Sequence, residues 1–357
     1  MLHYLNNVKR SKIVLKFMKE QYKFYKNFLN FLLRSRELPL FILIIILCIA
    51  ITIRNPSFIT IENFKDIIND IAVYSILAIG EMIVIITGGI DLSIGTGLGL
   101  AAMISGMIIV FNNNIPPIIA LLIGAIIGGI LGAFNGLLIA KGKIVPLIAT
   151  LATLNIFRGL NVVINLRFFK SMWVTANILP DSFKAFARED TLHIPNLLII
   201  IVVLYIAFYY LLNHTVTGRE FYAVGSNENA ARISGININK VILLAYIISG
   251  ILFGLSGVLY ASRYAIAQTD TGIGFEFIVI TAVILGGVSI KGGKGTIVGV
   301  LMGTILMGII SNALSISMIS PFWKLAINGS ILLIAVVVNK AIEDNTLKKQ
   351  EELRRKF

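Results

Sequence analysis

Cysteine, histidine and charge are all scarce in this chain. Of its 357 residues one is cysteine, Cys48, and three are histidine, His3, His193 and His214. One cysteine excludes a disulfide within the chain and a Cys-based zinc site. Histidines so far apart in sequence argue against a metal cluster. Charged residues make up 14%, against roughly a quarter in soluble domains. What fills the space is apolar: 57% of the residues, with a mean hydropathy of +0.89. A soluble fold of this size has no interior large enough for that much apolar surface, so a soluble enzyme and the disordered or fibrous classes are excluded. The net charge is +13. In a membrane chain such an excess reflects orientation and anionic headgroups rather than nucleic acid.

A helix needs about 20 apolar residues to cross the hydrocarbon core. Ten runs approach this, near 39–54, 71–87, 94–110, 116–139, 144–165, 196–212, 241–262, 274–288, 296–312 and 324–340. The expected fold is an all-α polytopic membrane protein of about ten transmembrane helices. Several runs are short, which predicts broken, tilted or re-entrant helices. Many of the 31 glycines fall inside the runs, which suits close helix packing. Placing the N-terminus inside puts 22 of the 31 Lys and Arg on the inner side. The positive-inside rule therefore predicts N-in and C-in, with an even number of spans.

Three regions follow: a basic segment 1–38, a transmembrane domain 39–340 with a loop near 214–240, and a charged tail 341–357. The first carries nine Lys/Arg interleaved with apolar residues, and reads either as an interfacial helix on the anionic leaflet or as a solvated basic tail. A cleavable signal peptide fits poorly, because the first long apolar run starts only near Pro39. On the outer side, the mixed-charge run Phe183–Asp190 is expected to form a short amphipathic helix at the interface. Two segments also look alike, Ile85-Ile86-Thr87-Gly88-Gly89 and Val283-Ile284-Leu285-Gly286-Gly287, offset by 198 residues. The same offset carries the first four spans onto the last four. A parallel internal repeat would place both Gly-Gly turns at one depth, between paired helices.

A carboxylate at the bilayer centre costs about 2.5–3.5 kcal/mol on insertion scales. Glu81, inside the second span, is therefore expected to face the bundle interior and pair with a donor, and is a candidate for lining a translocation path. Asp91 is expected at the inner edge, capping the helix that starts near Ser93; a proton relay is its competing role. Thr150, Asn155 and Arg158 of the fifth span join the candidate path for a hydroxylated solute. Asn155 and Arg158 are three apart and share a face, although Arg158 could instead snorkel to the outer headgroups. The acidic chain expected of an ion-coupled carrier is missing, as are a Ser/His pair and zinc-ligand spacing. Lys291-Gly292-Gly293-Lys294-Gly295-Thr296 lacks the residue order of a phosphate loop and reads as a tight turn. Gly95-x-Gly97-x-Gly99 follows no strand and reads as helix packing. The chain shows no nucleotide-binding motif of its own.

The loop after the sixth span runs from Thr217 to Ile236. Ser226 or Asn227 is expected to N-cap a short helix through Ser234, ended by Gly235. Ala230 and Ala231 beside Arg232 make a compact face. Such a helix suits a groove on a soluble partner, or is a connector with no partner.

These residues resemble the permease subunits of bacterial ATP-binding-cassette importers for monosaccharides, in the ribose, rhamnose and autoinducer-2 branch, over about residues 40–340. Four stretches carry the resemblance. They are Gly88-Gly89-Ile90-Asp91-Leu92-Ser93, then Asn135-Gly136 with Pro146 and Thr150 through Leu160, then Gly218 through Gly235, then Leu285-Gly286-Gly287 through Thr296. Gly88, Gly89, Asp91, Ser93, Gly286 and Gly287 are its structural signature. The resemblance implies a non-catalytic subunit of an ATP-driven importer in the bacterial inner membrane. It moves a monosaccharide or similar solute and pairs with a second permease copy or close paralogue. ATP and Mg belong to a cytoplasmic ATPase partner, and a sugar-binding protein docks outside. Coupling to the ATPase is expected through Asn227, Glu228, Asn229, Ala230, Ala231, Arg232 and Gly235. The loop departs from the family's Glu-Ala-Ala pattern, with Asn229 in the Glu position. Trp173 through Glu189 and Ser320-Pro321-Phe322-Trp323 look more like the rhamnose and autoinducer-2 members than the ribose ones. The alternative is a stand-alone ion-coupled carrier.

Overall fold

A computed structural model describes residues 37–112, 115–169, 173–174 and 178–354. Thirteen α-helices make up this part: α1 (Glu37–Arg54), α2 (Ile61–Ile86), α3 (Ile94–Phe111), α4 (Pro117–Ala140), α5 (Pro146–Phe169), α6 (Asp181–Arg188), α7 (Asn196–His214), α8 (Val216–Ser226), α9 (Glu228–Ile233), α10 (Ile238–Tyr264), α11 (Phe275–Leu285), α12 (Ile297–Ile316) and α13 (Pro321–Arg354). Two antiparallel pairs of two-residue strands complete it. They are β1 (Trp173–Val174) with β4 (Ala267–Gln268), and β2 (Asp190–Thr191) with β3 (Ile194–Pro195). The basic segment expected over 1–38 lies outside the described residues up to position 36. The backbone of α13 continues through the expected tail as far as Arg354.

Nine of these helices are long and apolar enough to cross a membrane. The eighth expected span differs. It contains α11, eleven residues long, which at 1.5 Å per residue reaches only about half of a ~30 Å core. The other half is non-helical chain, residues 265–274, which includes β4 and runs down the side of α3. Ala267 lies beside Gly106, Thr271 beside Gly99 and Gly272 beside Gly95. Irregular backbone at this depth requires enclosure by protein. Ala265, Ala267 and Thr271 are accordingly buried. The span is therefore broken rather than absent.

α2 and α3 form the centre of the bundle and are buried on nearly every face. Apolar residues all round a helix demand that environment. α1 and α13 lie at the periphery and expose apolar side chains, as expected of a lipid-facing surface. The closest packing joins α4 to α10 through glycines four apart, Gly124, Gly128 and Gly132 against Gly250 and Gly254, and Gly136 against Leu243. A Cβ on Gly128 would stand 2.1 Å from the Gly250 carbonyl oxygen, and one on Gly254 2.0 Å from that of Gly124. Apolar side chains gain nothing by leaving lipid for another helix, so close backbone approach is what holds this pair together.

The two ends of the bundle are built differently. At one end α6 lies across α10 by its buried Phe183 and Ala187. The Ser262 hydroxyl donates to the Phe183 carbonyl at 2.5 Å and accepts the Ala187 N–H at 3.2 Å, and Arg188 Nε donates to the Arg263 carbonyl at 2.8 Å. The hydrogen bond and charge of Lys184 hold the Asp181 carboxyl below the usual carboxylate range. This is the short amphipathic helix expected from Phe183–Asp190. At the same end Arg263 and Tyr264 reach Asp66 and Asp70 of α2 at 2.8 and 2.6 Å. The opposite end carries α8, α9 and the glycine turns.

Candidate functional site

α8 and α9 are set by their capping residues. Thr215 accepts the Gly218 N–H at 3.1 Å and opens α8. Asn227 accepts the Ala230 N–H at 3.0 Å and opens α9. Gly235, at φ +85°, closes α9: its N–H and that of Ile236 donate to the carbonyls of Arg232 and Ala231. This is a Schellman ending, which satisfies the last carbonyls and needs a left-handed residue. Asn227, Glu228, Asn229, Ala230, Arg232 and Gly235 are exposed. Glu228 and Arg232 pair across one turn at 2.6 Å. The expected compact face is divided, because Ala231 is buried (4% exposed) while Ala230 faces out. At the tip stands Ile233, 89% exposed, an apolar side chain in a polar loop. Its position after Arg232 in a six-residue helix was the only sequence signal for it.

The C-terminus of α8 sits directly on backbone. A Cβ on Gly225 would fall 1.7 Å from the Ile86 carbonyl oxygen and 2.7 Å from the Gly293 nitrogen. The Gly293 N–H itself donates to Ile86 O at 2.9 Å, and Tyr222 Oη donates to Gly295 O at 3.0 Å. Three segments thus meet without side chains between them: the end of α2, the end of α8 and the turn between α11 and α12. Gly225 and Gly293 lie within the stretches that carry the family resemblance, but the sequence does not assign them a contact. That glycines from two segments meet one carbonyl of a third is information that spacing does not carry.

Both glycine turns share one local geometry, and the chain just after the second meets the end of α2 through Gly293 N–H and Ile86 O. Gly88 N donates to Ile85 O and Gly89 N to Val84 O; Gly287 N donates to Ile284 O and Val288 N to Val283 O. The left-handed residues are Gly88 (φ +87°) and Gly287 (φ +86°). The backbone equivalence is therefore offset by 199, one more than the Gly-Gly alignment. Thr87, not Gly88, occupies the place of Gly286. The helices they end are unequal, 26 residues against 11.

Just past the first turn lies a buried polar cluster. Glu81 Oε1 accepts the Asp91 N–H at 3.1 Å. Asp91 Oδ1 accepts both the N–H (2.9 Å) and the hydroxyl (2.6 Å) of Ser93, the N-cap of α3. Ser93 Oγ in turn accepts Asn135 Nδ2 at 2.8 Å. The Thr150 hydroxyl donates to the Ile90 carbonyl at 3.1 Å. Asp91 thus supports the start of α3, but from full burial rather than from an exposed inner edge. Glu81 and Thr150 belong to this cluster, enclosed by protein. Asn155 is exposed on α5, where its amide donates to the Leu151 carbonyl at 3.0 Å. Arg158, partly buried, acts electrostatically on Glu276 at the start of α11. The four expected path residues therefore fall in three places. Metal-type clusters of three or more His, Cys, Asp and Glu are absent among the described residues.

Comparison with known proteins supplies the frame for this geometry. Residues 63–336 match the model of a family described as a branched-chain amino acid transport system permease component. The chain is 38% identical over 306 residues to the ribose import permease protein of Bacillus subtilis, covering 85% of this chain and 93% of that one. It is 34% identical over 306 residues to the D-allose transport system permease protein of Escherichia coli, covering 85% and 90%. It is 32% identical over 323 residues to the autoinducer 2 import system permease protein of Enterobacter sp., covering 90% and 92%. No solved structure matches the chain. Relatives of this kind decide against the stand-alone carrier. The chain belongs to this permease family and is a non-catalytic, multi-pass transmembrane subunit of an ATP-binding-cassette importer, in which a separate subunit is the ATPase.

Proposed function

We propose that this subunit carries a monosaccharide or a similar hydroxylated solute across the bacterial inner membrane, and that residues 226–235 transmit the ATPase stroke. One observation carries the coupling role. The exposed helix α9 is joined through α8 to a junction of bare backbone at Gly225, Ile86 and Gly293. A push on α9 therefore reaches α2 and the α11–α12 turn together, with no flexible side chain to absorb it. α9 presents Glu228, Asn229, Ala230, Arg232 and the apolar tip Ile233 to a groove on the ATPase, which holds ATP and Mg. ATP-driven closure of that partner would tilt the helices and switch access between the two sides. Of the expected path residues, Asn155 is exposed on α5 and is the candidate to meet solute, while Arg158 is partly buried towards Glu276. The end bearing α6 faces outward and receives a sugar-binding protein, and a second permease copy or close paralogue completes the path. Sugar chemistry rests on relatives named for ribose, allose and autoinducer 2. The Bacillus subtilis ribose permease, at 38%, is more similar than the autoinducer 2 permease at 32%, which favours a ribose-like solute over the rhamnose and autoinducer-2 members.

Ala230→Trp tests the coupling role. The position is exposed, so the fold tolerates it, whereas Trp at buried Ala231 would test only packing. Uptake is expected to fall at least tenfold while the amount of chain in the membrane stays constant. Normal uptake in this variant would remove α9 from the coupling surface.

A further inference from the structure

The cluster around Glu81 and Asp91 has more oxygen than it has hydrogen to offer. Its donors are spent except for the Tyr246 hydroxyl and one hydrogen of the Asn135 amide. The Asp91 N–H goes to Glu81 Oε1, both Ser93 donors go to Asp91 Oδ1, and Asn135 Nδ2 goes to Ser93 Oγ. Glu81 Oε2, Asp91 Oδ2, Asn135 Oδ1 and Tyr246 Oη are left buried without a hydrogen-bond partner among the described residues. All four side chains are at most 1% exposed. Tyr246 closes the group from α10. Its hydroxyl is 2.6 Å from where a Cβ of Gly89 would be, and it lies in the field of both carboxylates. The charged group acting on Glu81 is Asp91, itself acidic. Two adjacent buried carboxylates with no basic partner are too costly to persist as a bare pair.

We propose that this cluster binds a hard, oxygen-seeking metal cation. Carboxylate, amide and phenol oxygens are the donor set such ions select, whereas nitrogen and sulfur ligands would point to zinc or copper. The ligands come from α2, the following turn, α4 and α10, so a bound ion ties the first glycine turn to three helices. A way in exists. A cavity of about 280 Å³ at the α8–α9 end is lined by Gly88, Gly89, Lys143, Pro146, Glu228 and Tyr246, so Tyr246 belongs to both the cavity and the cluster. The site is structural and needs no ion gradient. It stands independently of the proposed coupling role and solute.

The test is thermal unfolding of the purified full chain in nanodiscs at constant ionic strength, with choline chloride replaced in turn by Na⁺, K⁺, Mg²⁺ and Ca²⁺ salts. At least one ion is expected to raise the melting temperature by about 5 °C at saturation. Glu81→Gln keeps the oxygen that accepts the Asp91 N–H but removes the charge, and should abolish the shift. If that variant does not fold, Tyr246→Phe removes one ligand oxygen and should raise the half-saturating ion concentration at least tenfold. No shift with any of the four ions would overturn the site. So would a shift that survives Glu81→Gln, or a melting temperature that responds to pH alone, because protons would then neutralise the pair.

Discussion

Two kinds of glycine constraint separate cleanly in this molecule. Gly88 sits at φ +87° with open space where a Cβ would go. Its constraint is conformational, and an L-residue there costs about 1–2 kcal/mol. Gly225 has an ordinary φ, but a Cβ would be driven into the Ile86 carbonyl, so its constraint is steric. Gly88→Asn is therefore expected to fold and retain uptake, since Asn tolerates the left-handed region. Gly225→Ala should lower the melting temperature and reduce uptake more than Gly88→Ala does, with overpacking of about 1–3 kcal/mol or more. Thermal unfolding of the three purified variants ranks them, and the reverse order would sink the distinction. Asn227 offers a third residue-scale case. Removing its cap in Asn227→Ala costs about 1 kcal/mol, which should appear as faster amide exchange confined to 228–234.

Among the elements, the α4–α10 pair is where helix contact depends on lost side chains. Three glycines on one helix face two on the other, and backbone carbonyls fill the space between them. Gly128→Leu is expected to prevent stable insertion, measured as loss of protease-resistant chain in membranes. Ile126→Leu on the same helix, which is exposed, should change nothing measurable. The broken span shows the converse. Residues 271–272 approach α3 at Gly95 and Gly99 because the loop there is not wrapped in side chains of its own. Glycine spacing of four along 95 and 99 was visible in sequence and was read as packing. That it packs against irregular chain rather than a helix was not, because apolar composition over 274–288 reads alike for a full span and for half of one.

For the whole molecule the decisive question is which end faces the cytoplasm. The excess of Lys and Arg places α8 and α9 inside and α6 with β2–β3 outside. Single cysteines put this to the test in a Cys48→Ser background. Leu192→Cys, 87% exposed beside β2, should react with a membrane-impermeant maleimide in intact cells. Ile233→Cys, 89% exposed on α9, should react only in inverted vesicles. The opposite pattern would invert the molecule and remove the proposed ATPase surface. The solute itself is tested by uptake of labelled ribose, rhamnose, xylose, galactose and autoinducer 2 in cells with and without the chain, where loss of one substrate is expected.

Several features were settled by the chain alone. Mean hydropathy, run lengths and scarce charge dictate a helical membrane protein, because only internally hydrogen-bonded helices or closed barrels survive in hydrocarbon. Local hydrogen bonding likewise makes α9 legible: Asn227 and Gly235 are a cap and a left-handed stop, and both act within a few residues. Tertiary structure decided the rest. It divided Ala230 from Ala231, spread Glu81, Thr150, Asn155 and Arg158 over three environments, shifted the repeat by one residue at Thr87–Gly88, and brought Gly225, Ile86 and Gly293 to one point. Each of these depends on which distant segment lies opposite. Helical periodicity says that a face is apolar or polar, but not what covers it, and a carbonyl approached by two glycines leaves no trace in the residue that carries it.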